Sequence, residues 1–328
     1  MAQPLPTAHS LTLSIIIPVW NRAASIGACL SSIKGAEDRD DWEIVLVDDG
    51  STDDSVAQIH ASLQTLGLTG RATVLEQENA GPGAARNTAI NVAKGDWIVC
   101  LDSDDLWLPW TLETLLEFLA QHPETDAAFL RQMDHPQDAP VPTLSREPLQ
   151  SQGFTGFLEG YMSNQLGVTV STHNLLCRRS TFHAAGGFQT DLRVFEDSDF
   201  FLRLPPDAHI RTVRAPMLVV YHLDTPDSLT KSHDGVMKGL NFMRQAHARG
   251  EYPGGQNRIA IQRIFLARVA QFAITNAWQN RQYATSYILF LKSVWELANN
   301  RCSLFILRYH QRILKDAFSS VKGAFSRG

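Results

Sequence analysis

Short apolar runs set the rhythm of the first third of the chain: Ser14-Ile15-Ile16-Ile17, Ile44-Val45-Leu46-Val47, the weaker Arg71-Ala72-Thr73-Val74-Leu75, and Trp97-Ile98-Val99-Cys100-Leu101. The three stronger runs do not alternate apolar with polar, which is the pattern of strands covered on both faces. Between the runs the spacing turns helical. Ala23 to Ile33 places Ile26, Leu30 and Ile33 on one side, and Asp53 to Leu66 follows an Asp/Ser/Thr cluster suited to an N-cap. The Ala-rich stretch Gly83 to Lys94 stops before Gly95. Strand alternating with helix predicts an α/β fold with a mostly parallel sheet and helices on both faces. Such sheets take ligands beyond the carboxyl ends of their strands. Here those ends read Pro18-Val19-Trp20-Asn21, Asp48-Asp49-Gly50-Ser51 and Asp102-Ser103-Asp104, polar endings that converge on one sheet edge.

Further along the pattern is mixed. Residues 127–152, rich in Pro, Gln and Asp, read as an irregular excursion. A strand follows at Asn174-Leu175-Leu176-Cys177, a turn at Gly186-Gly187, an amphipathic helix from Phe195 to Leu204 that opens with acids, and a strand at Leu218-Val219-Val220-Tyr221. From about Asp234 the pattern is helical, broken at Pro253-Gly254-Gly255. The expected organisation is an N-terminal tail (1–11), a main domain (12–233) whose halves meet at 126/127, and a helical extension (234–328).

At 328 residues, with 44% hydrophobic and 19% charged, the chain has the make-up of a globular protein. The net charge of −5 hides an asymmetry. Residues 256–328 hold 11 Lys+Arg against only Glu296 and Asp316, a balance of +9 that leaves −14 for the rest. A basic tail on an acidic body suggests a surface that meets anions. On a helix from Arg301 to Phe318, Arg301, Arg308, Arg312 and Lys315 form one stripe, with Ile306, Leu307, Ile313 and Leu314 opposite. With Phe265, Trp278, Tyr287, Phe290 and Trp295 earlier in the sequence, 256–328 reads either as an interfacial membrane anchor or as helices packed on the main domain. It carries no nucleic-acid recognition motif. Cys29, Cys100, Cys177 and Cys302 form no CxxC pair, which excludes zinc-ribbon and thioredoxin-type chemistry. The first ten residues lack a basic and apolar leader, and no run of 18 apolar residues exists. The expected location is cytoplasmic, with a peripheral position on the inner face of the membrane if the tail is an anchor.

The segment Trp97 to Asp105 carries the most chemistry. An apolar strand pattern stops in three carboxylates, and Asp102 and Asp104, two apart, point the same way while the backbone stays extended. Two carboxylates aimed into one cleft repel each other unless a cation sits between them. Oxygen ligands there suit Mg2+ or Mn2+, ions that commonly hold a diphosphate. The alternative is an acidic turn in which Asp105 caps a helix starting near Leu106. Other groups fit a nucleotide. Trp20 offers a flat face for a base or is a half-buried core aromatic. Gly81-Pro82-Gly83 lacks the GxGxxG spacing of a dinucleotide loop and reads as the turn opening the Ala-rich helix. That helix can bring Arg86 to a diphosphate and Asn87 to nearby backbone or ribose; a structural or solvated Arg86 stands beside that reading. Glu196-Asp197 supplies either a catalytic base or acids that favour a helix N-terminus.

In order and spacing, four blocks resemble the inverting nucleotide-sugar glycosyltransferases of family 2. They are Ser14-Ile-Ile-Ile-Pro-Val-Trp-Asn-Arg22; Val47-Asp-Asp-Gly-Ser-Thr-Asp53; Asn79-Ala-Gly-Pro-Gly-Ala-Ala-Arg-Asn87 with Leu101-Asp-Ser-Asp-Asp105; and Gly186-Gly-Phe188 with Phe195-Glu-Asp-Ser-Asp-Phe200. The resemblance covers about residues 12–230. It implies the GT-A fold, a Rossmann-like mixed sheet whose first half (12–126) binds nucleotide and whose second half (127–233) takes the acceptor. It implies that Asp49 accepts the imide N–H of a uracil, that Asp48 is structural or a second contact, and that Asp104 is the direct ligand of Mn2+ or Mg2+. Asp102 would then lie near ribose and metal, and His222 would be a third ligand, with His233 and Asp224 as further candidates. Pro18, Val19, Trp20, Asn21, Arg86, Asn87 and Ser103 complete the expected donor site. Asp197, beside Glu196, is the implied base. Many relatives carry an aromatic where Ser198 stands here, which leaves acceptor stacking at that point unassigned. The processive pattern QxxRW is absent, which implies one sugar per encounter. The expected activity is metal-dependent transfer from a nucleotide-diphosphate sugar, UDP-sugar favoured, to a glycan or lipid-linked saccharide in surface polysaccharide synthesis. The rivals are a sugar-phosphate nucleotidyltransferase, which usually has a Gly-rich basic loop where this chain has Pro-Val-Trp-Asn, and a non-catalytic nucleotide-sugar binding module.

Overall fold

The fold was obtained as a computed structural model that describes residues 12–136, 139–163, 166–223, 229, 232–299, 305–306 and 308–309. The chain divides into two compact units, Met1–Ser228 and Leu229–Gly328.

The first unit is organised by an eight-stranded sheet. Strand β1 (Leu13–Val19) lies between β2 (Trp42–Asp48) and β4 (Trp97–Cys100), with β3 (Ala72–Glu76) beyond β2 at the edge. These four run parallel. The helices between them are α1 (Ile26–Ser32), α2 (Ser55–Thr65) and α3 (Pro82–Val92). Strands β1, β2 and β4 are buried at every position, as their unbroken apolar runs require. Leu13, Ile15, Ile17 and Val19 join one core with Ile26 and Leu30 of α1, Ile59 and Leu63 of α2, and Leu112, Leu115 and Leu119 of α4 (Thr111–Gln121). The two-residue alternation turns Ile16, Val45, Val47 and Ile98 to the other face, where α3 brings its small Ala85 and Ala89 against the sheet. Each such aliphatic side chain stabilises the fold by about 1.5–3 kcal/mol on burial. The polar exceptions inside these strands are satisfied. The Glu43 carboxylate accepts hydrogen bonds from Ser14 Oγ (2.7 Å) and the Lys94 N–H (2.6 Å), while Ser14 Oγ accepts from the Gly95 N–H (2.9 Å).

The sheet continues from β4 through β9 (Leu175–Arg178), β6 (Ala127–Leu130) and β10 (His209–Ala215) to β8 (Gln150–Thr155). Here directions mix: β9 is antiparallel to β4 and β6, β10 is parallel to β6, and β8 is antiparallel to β10. A second, three-stranded sheet places β11 (Val219–Leu223) between β5 (Leu106–Trp107) and β7 (Gln132–Pro136). Helices α5 (Phe157–Met162), α6 (Arg179–Ala184) and α7 (Glu196–Arg203) fill out this half. The excursion expected over 127–152 is irregular over 139–149, but strands β6 and β7 open it and β8 begins at its end. Ala127-Ala128-Phe129-Leu130 is a weak strand former by composition, but both its neighbours, β9 and β10, are well placed to pair with it. The alternating strand β10 was also not anticipated. The helix expected near Leu106 begins at Thr111, because Leu106 and Trp107 pair with β11.

The second unit contains α8 (His233–Ala248), α9 (Ile259–Gln279) and α10 (Tyr283–Asn299). The break expected at Pro253-Gly254-Gly255 is present, with Gly254 in a left-handed conformation (φ 100°). Ala270, Ala273 and Ala277 of α9 and Ser286 and Ser293 of α10 are buried, and these two helices make the unit's most extensive contact. Phe265 and Phe290 are core residues, whereas Tyr287 and Trp295 are exposed, so the aromatic set singled out in the sequence splits between inside and outside. The helix expected over Arg301–Phe318 lies largely outside the described residues. Among the described residues no helix is long and apolar enough to cross a membrane.

Candidate active site

The strand order β3-β2-β1-β4 reverses at β1, so a crevice opens beyond the carboxyl ends of β1 and β4. Pro18 suits that opening. The Ile16 carbonyl accepts from the Leu101 N–H (3.0 Å), and Pro18, two residues on, faces the same side after β4 has ended, so its missing N–H breaks no ladder bond. Val19 is buried and its carbonyl accepts from the Asp49 N–H (2.7 Å), while Trp20 emerges 39% exposed. Asn21 turns the chain (φ 51°), taking the Thr52 N–H on Oδ1 (2.8 Å) and giving its own N–H to Ser51 Oγ (2.8 Å). The Asp48-Asp49-Gly50-Ser51 turn is stitched internally. Asp48 Oδ2 accepts from the Ser51 N–H (3.0 Å). Asp49 accepts from the Ala80 and Gly81 N–H groups (2.9 and 2.8 Å) and from Gln77 Nε2 (2.7 Å). Gly50 is required here: at φ 72° a Cβ would lie 2.9 Å from the Asn79 nitrogen.

The acids after β4 occupy the crevice. Asp102 Oδ1 accepts from Arg86 Nη2 (2.6 Å), and Arg86 Nη1 reaches Glu196 Oε1 (3.2 Å). Arg86 is buried, rising from α3 between the end of β4 and the start of α7, and thus ties the two halves of the unit together. Asp104 Oδ2 pairs with Arg22 Nη2 (3.3 Å), and Ser25 Oγ donates to the Ser103 carbonyl (3.0 Å). Asp105 is 1% exposed; its Oδ1 accepts from the His222 N–H (3.0 Å), and its Oδ2 is buried with no hydrogen-bond partner. It links the acidic turn to β11 and does not cap a helix. His222 Nδ1 also lies 2.5 Å from the Asp104 carbonyl oxygen.

Three acids crowd the first turn of α7 and go separate ways. Glu196 turns to Arg86, and Asp199 pairs with Arg203 (2.7 Å). Asp197 is half-buried, with Oδ1 fixed by the Ser198 N–H (2.6 Å). The preceding Phe195 adopts a left-handed conformation (φ 68°) that sets the helix direction. Asn87, next to Arg86 on α3, spends both ends of its amide on the Phe188 backbone (2.8 and 2.9 Å), fastening the Gly186-Gly187-Phe188 turn.

Sequence reasoning missed His173, Gln132, Tyr221 and the partnership of Arg22. His173 is buried, hydrogen-bonded through Nε2 to Gln132 Oε1 (2.6 Å) and stacked on Tyr221 (4.4 Å between centroids, 9° between planes). One ligand atom each from Asp102, Asp105 and His173 lies within 4.8 Å of the others. The signal was available: Thr172-His173-Asn174 is a polar run against an apolar strand, like the endings of β1, β2 and β4. His222 touches Asp104 but falls outside that trio; His233 opens α8 in the other unit, and Asp224 lies outside the described residues.

Five carboxylates, of Asp102, Asp104, Asp105, Glu196 and Asp197, gather around two guanidiniums, those of Arg22 and Arg86. Burial opposes charge on Asp102, but Arg86, His173 and Arg22 outweigh it and hold the pKa below the ordinary 3.8. The others move up. Burial, then the Asp102 charge, raises Asp104; burial with both neighbouring acids raises Asp105 well above 3.8. Burial and the adjacent Asp197 push Glu196 to about 7, and burial raises Asp197. Burial lowers His173 to about 4, so its imidazole is neutral at pH 7. Excess negative charge, a neutral imidazole and an unsatisfied buried carboxylate oxygen make a donor set that fits a divalent cation.

Residues 14–185 match the model of glycosyl transferase family 2. The chain belongs to that family. A putative colanic acid biosynthesis glycosyl transferase of Escherichia coli K12, WcaA, is 30% identical over 199 residues, 58% of this chain and 65% of that protein, just under two thirds of its length. Among solved structures, residues 1–349 of S. aureus TarS in complex with UDP-GlcNAc superpose with a TM-score of 0.68 at 20% identity, covering 88% of this chain and 81% of that one. The mannosyltransferase PcManGT of Pyrobaculum calidifontis, in complex with GDP-Man and Mn2+, superposes with a TM-score of 0.52 at 19% identity, covering 96% and 91%. These likenesses establish the GT-A fold of this glycosyltransferase.

Proposed function

We propose that this family member is a metal-dependent inverting transferase. It moves one sugar from a nucleotide-diphosphate donor, a UDP-sugar by preference, to a hydroxyl of a glycan or lipid-linked saccharide in surface polysaccharide synthesis. Residues 12–126 take the nucleotide and 127–233 the acceptor. The observation that carries the reading is Arg86, which holds Asp102 of the acidic turn and Glu196 of the acid pair in one crevice. A structural neighbour and a relative favour the donor and pathway: TarS is seen with UDP-GlcNAc, and WcaA is described as a putative colanic acid biosynthesis glycosyl transferase.

Trp20 stacks on the base, and Asp49 accepts its imide N–H. Asp104 and Asp102, with Asp105, His173 and His222 around them, would hold Mn2+ or Mg2+, whose positive charge offsets that of the departing diphosphate. Asp197 takes the proton of the acceptor hydroxyl. The acceptor oxygen bonds to the anomeric carbon from the face opposite the diphosphate, and the bond from that carbon to the phosphate oxygen breaks, inverting the configuration. The raised pKa of Asp197 makes it a stronger base than a free aspartate. Arg86 keeps Glu196 out of the reaction by pairing with it.

The test screens purified protein with Mn2+ against UDP-, GDP- and dTDP-sugars for release of the nucleoside diphosphate. Slow hydrolysis of one donor is expected, lost on adding chelator and lost in Asp104→Ala. Equal turnover of Asp104→Ala and the parent would show that the acidic turn does not serve a metal.

A further inference from the structure

The outward face of α10 carries an apolar stripe. Tyr283, Tyr287, Leu291 and Trp295 succeed one another at intervals of four and are 51%, 47%, 53% and 79% exposed, with Ile288 beside them at 42%. Residues four apart share one side of a helix, so the stripe runs for about 18 Å at 1.5 Å per residue. The inward face is separate: Ser286, Leu289, Phe290, Ser293 and Leu297 are buried. No acid interrupts the stripe, because Glu296, the one acid of α10, is drawn to Arg244 of α8 (2.5 Å). Lys292 is the charged residue on the exposed side. Beside Trp295 at the end of the stripe is a cavity of about 360 Å³ whose wall includes His247 and Arg263. Exposed apolar surface concentrated in this way marks an interaction site.

Charge decides between the two occupants that such a face admits. A second copy would bring its own balance of +9 in 256–328 against the same balance here. An anionic bilayer meets that charge with the opposite sign. The residue types agree, since Tyr and Trp place an apolar ring in the acyl boundary and a polar edge among headgroups. We propose that the Tyr283–Trp295 face of α10 seats this protein on an anionic phospholipid surface, lying in the interface without crossing it.

Cosedimentation with vesicles tests this. The full chain is expected to pellet with phosphatidylcholine–phosphatidylglycerol vesicles at about 0.1 M salt, to stay in solution with phosphatidylcholine alone, and to be released at about 0.5 M salt. The double variant L291E/W295E is expected to lose about tenfold in bound fraction while keeping its circular dichroism, thermal midpoint and donor hydrolysis. Equal binding to neutral and anionic vesicles, binding to neither, or undiminished binding of the variant overturns the proposal. So does a parent that is dimeric by light scattering and becomes monomeric in the variant, which would give the face to a second copy. Donor hydrolysis is read separately, so loss of the membrane proposal leaves the transferase reading standing.

Discussion

The two halves of the first unit, 12–126 and 127–223, share one sheet but are specified differently. In the first, the parallel strands β1 to β4 are joined by helices and are announced by their own residues through apolar runs and helical periods, with the two-residue β5 as the exception. In the second, β9 is antiparallel to both neighbours and β8 is a polar edge strand; β9 and β11 show as local apolar runs, whereas β6, β8 and β10 depend on their partners. The chemistry divides along the same line. The first half contributes Trp20, Asp49, Asp102 and Asp104; the second contributes Glu196, Asp197, His173 and Tyr221. Arg86 joins the two sets, pairing with an acid of each half, Asp102 and Glu196. If the first half serves the donor and the second serves transfer, variants on each side should fail in different ways.

The largest separation is expected for Asp197→Asn. Loss of a general base costs about 10²- to 10⁴-fold, so transfer to acceptor should fall by that factor while donor binding, followed by calorimetry, stays at the parental value. Transfer near the parental rate would remove Asp197 from the mechanism. Arg86→Met attacks the seam itself. It strands Asp102 and Glu196 without their shared counter-ion, and breaking a buried pair of this kind costs about 3–5 kcal/mol. Urea unfolding should show that loss, and Arg86→Lys should recover only part of it, since an ammonium lacks the fork that reaches both carboxylates. A parental urea midpoint for Arg86→Met would mean that the Arg86 ion pairs add nothing to the β4–β9 ladder and the packing that join the halves.

The same division governed what could be read from the sequence. Strands β1 to β4, helices α1 to α3, and the acidic ends of β2 and β4 followed from local pattern. Ala127-Ala128-Phe129-Leu130 did not, because half of it is alanine and its place is fixed by β9 and β10, both distant in the chain. Asp105 looked like a helix cap because its commitment, to the N–H of His222, lies 117 residues away. His173 was marked only by its polar run, and its partners were hidden for a related reason: Gln132 is 41 residues earlier, and the Tyr221 on which it stacks belongs to another strand. The acids of the site were legible as residue types in motifs; their pairing with Arg22 and Arg86 was a matter of tertiary geometry.

The seam also predicts a pH response. Folding raises Glu196 from 4.5 to about 7. Between those values the folded chain holds a proton that the unfolded chain has released, so this group's contribution to stability falls as pH rises from about 4.5 to about 7. His173 acts oppositely: its folded value of about 4 lies below its ordinary 6.5, so its contribution rises with pH from about 4 to 6.5. The two partly cancel in the parent. Glu196→Gln removes the first alone, so the stability of the parent minus that of the variant should fall by roughly 2 kcal/mol across that window in chelator-treated protein. A difference that is flat with pH, or that grows, would place the Glu196 carboxyl in a different environment from the one described.

The smallest expected effect belongs to the first half and is the cleanest probe of its donor role. Trp20 is 39% exposed, so Trp20→Ala should leave folding stability within about 0.5 kcal/mol of the parent. A ring stacked on a base contributes about 0.5–1.5 kcal/mol beyond its area, which corresponds to a rise in donor KM of about 2- to 12-fold with kcat unchanged. Trp20→Phe keeps a flat face and should recover most of the affinity. The opposite result, an unchanged donor KM with a lowered thermal midpoint, would turn Trp20 into a piece of the core. The nucleotide would then have to find its aromatic face elsewhere along the ends of β1 and β2.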